Sequence, residues 1–88
     1  MPATQGQIDC KVYPGAFSGE VVFQVDTAAG SYEGIAPKHY ANVIPEKEGV
    51  SGRVMVFVLS NGGNEARISA PDGQILTVSA EIVHDVSI

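Results

Sequence analysis

Gly52-Arg53-Val54-Met55-Val56-Phe57-Val58-Leu59-Ser60 is the stretch on which the fold turns. Val54, Val56 and Val58 alternate with Met55, Phe57 and Leu59. In an extended chain successive side chains point to opposite faces, so a strand here is apolar on both. One face lines a core. The other calls for a second layer, supplied by the same chain or by a partner. Met55, Phe57 and Leu59 are the candidate oligomer-interface set, with Val54, Val56 and Val58 as the alternative if the strand is turned over.

The flanking sequence supplies turns and further strands. Asn61-Gly62-Gly63-Asn64 is a strong hairpin signal. Beyond it, Ala66, Ile68 and Ala70 alternate with Glu65, Arg67 and Ser69, a half-buried strand over 65–70. Pro71-Asp72-Gly73 is a turn: proline pre-sets the first central residue and glycine closes it. Gln74 to Ser79 makes another strand, Ser79-Ala80-Glu81 a short turn, and Ile82 to Val86 a closing strand.

Upstream, Ile8, Cys10 and Val12 alternate with Asp9 and Lys11, giving a strand over 8–12. Tyr13-Pro14-Gly15 breaks it, since proline donates no ladder hydrogen bond. Glu20 to Asp26 follows, with Val21, Phe23 and Val25 on one face. After the loop Thr27-Ala28-Ala29-Gly30 the chain returns through Ser31 to Ile35. From Ala36 to Val50 no apolar period persists, and Pro37, Pro45 and Gly49 punctuate the segment. A single helical turn near 37–41, with Pro37 at its first position, is all the helix expected there. The connection is read as too polar to serve as a lid.

The expectation is therefore one all-β domain spanning 1–88: a small antiparallel barrel or sandwich of about seven short strands. The last third, a two-hairpin meander followed by a short turn and one closing strand, resembles the end of an SH3-type barrel. That likeness is architectural and carries no family motif. An OB-type barrel is second choice, because it usually wants a helix between its third and fourth strands and residues 36–50 offer only a turn.

Composition narrows the functions. At 44 % hydrophobic and 17 % charged, the chain belongs with globular rather than disordered proteins. The net charge is −5, and the five basic residues, Lys11, Lys38, Lys47, Arg53 and Arg67, are scattered. Binding to phosphates or to anionic lipid needs clustered Lys and Arg, so neither nucleic acid nor a membrane surface is an expected partner. Met1-Pro2-Ala3-Thr4 lacks the basic and apolar parts of a signal peptide, and no apolar run approaches the ~20 residues that span a bilayer. A cytoplasmic protein is the expectation, in keeping with a single cysteine and hence no intrachain disulfide.

The chemistry-bearing residues are few. Cys10 shares the apolar face of Ile8 and Val12 and reads as a small buried hydrophobe. A reactive thiol would need His39 or His84 brought to it across the fold. His84 and Asp85 are neighbours on one strand and face opposite ways, so they make no dyad with each other. Two histidines and one cysteine far apart show no metal-ligand spacing, and no cofactor or metal is expected. Tyr13, Tyr32 and Tyr40 sit near loops or strand ends, with Lys38 and His39 beside the last. Converging, these five would make a ligand- or partner-binding patch. Otherwise each tyrosine caps an open end of the core. The functional expectation is a non-enzymatic binding or assembly module that forms a homo-oligomer. The alternative is a small enzyme or small-molecule-binding protein whose site forms at the oligomer interface.

Overall fold

The computed structural model describes residues 4–85, so the expected end of the last strand at Val86 lies outside the described residues. Seven strands follow one another: β1 (Thr4–Pro14), β2 (Glu20–Thr27), β3 (Gly30–Pro37), β4 (Val50–Gly62), β5 (Glu65–Ser69), β6 (Ile75–Ser79) and β7 (Val83–Asp85). Two 3-10 turns, at Lys38–Tyr40 and Ala80–Ile82, are the only helical elements among the described residues. Among the described residues no helix is long and apolar enough to cross a membrane.

The strands form one antiparallel sheet in the order β3-β2-β1-β4-β5-β6, with β7 added to β1. The sheet curls into a half-barrel because β1 divides its outer edge. Gly6 to Ile8 pair with β7, whereas Lys11 to Pro14 pair with β2. Its other edge pairs with β4 over the whole of Thr4 to Val12. β1 therefore begins four residues before the expected 8–12. Gln5, Gly6 and Gln7 have no apolar alternation to announce a strand, yet β4 pairs with all three and β7 with Gly6 and Gln7, which holds them extended. Gly6 permits that crowding: a Cβ there would lie 2.9 Å from the His84 carbonyl oxygen and 3.0 Å from a Val58 methyl.

The two ends of the sheet order then meet. The Ala28 N–H, in the β2–β3 turn, donates to the Thr77 carbonyl of β6 at 2.9 Å. The Tyr32 hydroxyl of β3 bonds the Asp72 carboxylate in the β5–β6 turn. Gly63, in the expected β4–β5 hairpin turn, takes φ +73°, a left-handed conformation that costs glycine little.

Inside the curl lies one contiguous core. Phe23, Ile8, Val12, Val54, Val56, Ile68 and Val78 are its largest fully buried side chains. Each such burial stabilises by about 1.5–3 kcal/mol. The valine face of β4 is thus the inner one. One expectation is corrected here. The 36–50 connection does cover part of the fold: Tyr40, Ala41 and Val43 pack on the core, Pro45 is buried, and Ala41 forms an antiparallel bridge to Val54. The Asn42 N–H donates to the Arg53 carbonyl, and the Asn42 side-chain oxygen accepts from the Arg53 N–H. These polar residues satisfy the free edge of β4, a role that apolar periodicity does not reveal. Strand count and curl are shared by SH3-type and OB-type barrels and do not separate the two.

Candidate functional site

With the valines turned inward, the other face of β4 is left open. Phe57 is 47 % and Leu59 41 % exposed, and Met55 is half-buried. The register extends this face across the sheet. Gln5 of β1, Phe57 of β4, Ser69 of β5 and Ile75 of β6 lie in one cross-strand row. Ile75 is 54 % exposed. A β-bulge between Val58 and Ser60 shifts the register and turns Leu59 and Ser60 to the same outer side. Beside the row lie Gln7, Arg67 and Thr77, and Glu65 follows Arg67 along the outer face of β5. Met55 accepts a side-chain hydrogen bond from Gln5 at 2.7 Å.

Tyr40 borders the same face. Its 3-10 turn and the β5–β6 turn enclose a depression of about 210 Å³, lined by Tyr40, Met55, Phe57, Ser69, Pro71 and Gly73 among others. His39 stacks edge-on against Tyr40, ring centroids 4.9 Å apart, and both Lys38 and His39 point to solvent. The other two tyrosines find separate partners. The Tyr13 hydroxyl donates to Gln24 Oε1 at 3.2 Å, and its ring lies so close over Gly49 that any Cβ there would collide. Tyr32 packs its ring 6.1 Å from that of Phe23 beneath its bond to Asp72. Burial, and then the Asp72 carboxylate, push the Tyr32 hydroxyl up to about 12. Tyr40 alone of the three joins Met55 and Phe57.

A second polar site lies where β1 changes partner. His84 Nε2 is 3.1 Å from both Asp9 carboxylate oxygens, and Arg53 Nε is 3.1 Å from Oδ1. The His84 hydrogen bond, with the charges of His84 and Arg53 behind it, holds the Asp9 carboxyl below its ordinary value. This cluster ties β7 and β4 to β1. Its members are 44 and 75 residues from Asp9 in sequence, so only the strand register reveals it. Next to it a cleft of about 510 Å³ is lined by Asp9, Cys10, Lys11, Asp26, Glu81 and Ile82 among others. Burial, and then the Asp9 charge, push the Cys10 thiol up to about 12, which keeps it protonated and a poor nucleophile at neutral pH. Among the described residues no three of His, Cys, Asp and Glu cluster closely enough to hold a metal ion.

Phe17 and Ile44, at 74 % and 73 % exposed, form a smaller apolar patch at one end of the barrel. They share a depression of about 260 Å³ with Pro14, Glu20, Lys38 and Pro45. Sequence pattern placed both residues in loops without linking them. No family model, curated protein or solved structure matches the chain.

Proposed function

We propose that the protein works by association rather than catalysis, as an assembly module that forms a homo-oligomer through the outer face of β4, β5 and β6. One observation carries this reading. Phe57, Leu59 and Ile75 stand exposed on one side of the sheet, beside the polar Gln5, Ser69 and Thr77 and the basic Arg67. Contiguous exposed apolar surface bordered by polar residues is the usual mark of a protein contact. The polar groups that chemistry would recruit are otherwise engaged: Arg53 and His84 both bind Asp9, and burial pushes the Cys10 thiol up, which favours its protonated form.

Sedimentation velocity over a range of concentrations tests the proposal. The native chain is expected to shift from 9.2 kDa to twice that mass, while Phe57→Asp stays folded and monomeric. A native chain that remains monomeric at ~1 mM, where even a millimolar Kd shows, would sink it.

The competing reading is a small-molecule site formed at the interface, favoured by the depression beside Tyr40, with Lys38 and His39 as its polar rim. A rise in melting temperature with a nucleotide or cofactor, absent in Tyr40→Ala, would favour it. A reducing, cytoplasmic setting suits the lone protonated thiol. The SH3-type reading is supported by the Ala80–Ile82 turn, which delivers β7 onto β1.

A further inference from the structure

β4 ends on Asn61-Gly62, and this end is held on one side only. Among the described residues β1 pairs with β4 as far as Val58, and beyond the bulge only β5 pairs with Ser60, Asn61 and Gly62. Asn61 pairs with Ala66, a residue of the inner face, yet is itself exposed. Association through the Phe57 face therefore leaves it open to solvent. Opening free energies run from near zero at fraying ends to the whole stability in core strands. The pairs Asn61–Ala66 and Gly62–Glu65, the last of their ladder, belong near the low end.

Asparagine is a thermolabile residue, because its carboxamide carbon can be attacked by the main-chain nitrogen of the next residue. Here the Gly62 nitrogen would bond to Asn61 Cγ while the Cγ–Nδ2 bond breaks. The proton of the Gly62 N–H leaves with Nδ2 as ammonia, and a succinimide ring remains. Water then opens the ring at Cγ, leaving aspartate, or at the main-chain carbon, leaving isoaspartate. The three asparagines differ in their fitness for this step. Asn42 is followed by Val43 and Asn64 by Glu65, whose Cβ atoms crowd the attacking nitrogen. Asn42 is also pinned, its side-chain oxygen accepting from the Arg53 N–H at 2.8 Å. The Asn64 carbonyl accepts from the Ala80 N–H at 2.9 Å. Gly62 has no Cβ, and no atom lies within 4 Å of the place one would take. Only the extended backbone of β4 keeps the Gly62 nitrogen from its target.

We infer that Asn61 is a site of spontaneous deamidation, reached when the last two β4–β5 pairs open and without unfolding of the half-barrel. The product adds a negative charge to a chain already at −5, next to the pair that contains Glu65. Its isoaspartate form lengthens the β4 backbone by a carbon, so Gly62 no longer meets Glu65 in register.

Peptide mapping of the aged chain tests it. The folded protein and a urea-unfolded control are incubated at neutral pH and cut after lysine and arginine. Residues 54–67 then carry Asn61 and Asn64 on one peptide, and residues 39–47 carry Asn42 on another. Fragmentation mass spectrometry assigns aspartate and isoaspartate to each position. Both products are expected at Asn61, with Asn42 and Asn64 intact over the same period. The folded chain should convert within about a hundredfold of the unfolded rate, since a fraying end opens at little cost. Gly62→Ala places its Cβ in open space, so melting should be unchanged. Conversion should nevertheless slow several-fold in the folded and the unfolded chain alike, because the crowding is local. Slowing of the native chain beyond about a hundredfold, toward the thousandfold or more that global unfolding would impose, would overturn the inference. So would equal conversion at Asn42, or aspartate at Asn61 without isoaspartate, which would mean direct hydrolysis of the side chain.

Discussion

Val56 and Phe57 are neighbours in the chain and opposite in fate, and paired alanine substitutions measure the difference. Val56 is 1 % exposed in the core, whereas Phe57 is 47 % exposed. Val56→Ala removes two buried carbons, worth ~0.8 kcal/mol each. The void left among Val54, Ile68 and their neighbours adds a cavity cost, so the total is about 2–3 kcal/mol. A chain of 88 residues has a stability of only about 4–13 kcal/mol. At ~4–8 °C per kcal/mol for a domain of this size, melting should fall by roughly 10–20 °C. Phe57→Ala leaves no enclosed void and removes a half-buried ring, so in dilute solution it should cost about 1 kcal/mol or less. Urea denaturation of both variants at low micromolar concentration gives the comparison. Raising the concentration should then stabilise the native chain and not Phe57→Ala, because only a chain that associates gains from mass action. Equal losses from the two substitutions at low concentration would mean that the outer face is covered within the protomer, and the reasoning would fail.

Three further outcomes are expected. Gly34→Ala should destabilise by about 1–3 kcal/mol in urea titration, because a Cβ there would lie 2.7 Å from both the buried Phe23 ring and the Asp72 carboxylate. Cys10 should react with iodoacetamide at neutral pH roughly a thousandfold more slowly than a free cysteine, since its thiol is raised from 9.0 to about 12; labelling at the rate of an unfolded control would contradict its placement. Tyr32 titrates higher folded than unfolded, at about 12 against 10.0. Its contribution is therefore fully present below pH 10 and lost as pH rises toward 12, and Tyr32→Phe should flatten that alkaline limb in pH-dependent melting.

The strand core was legible because alternation is local. Val54, Val56 and Val58 announce a face in nine residues, and the turns at Gly63 and Pro71 to Gly73 announce where strands reverse. Which face of β4 turns inward is a property of the assembled sheet. It depends on Ile8 and Ile68 lying opposite Val54 and Val58, and no local pattern encodes that pairing. The Asp9, Arg53 and His84 cluster was invisible for the same reason. Residues 41–49 misled because they work by satisfying the backbone edge of β4 and by isolated contacts, such as Val43 against Gly52, without a period. For the candidate site, Met55, Phe57 and Leu59 could be read from β4 alone. Ser69 and Ile75 joined them only through the register, and the Leu59 bulge through a mismatch between two strands.

The most direct test of the central claim is a dilution series of amide spectra of the isotopically labelled native chain. Self-association through the outer sheet face predicts concentration-dependent shifts at Gln5, Met55, Phe57, Leu59, Ser69 and Ile75, with Val54, Val56 and the Phe17 and Ile44 end unmoved. Spectra that do not change with concentration, or changes confined to Phe17 and Ile44, would contradict it.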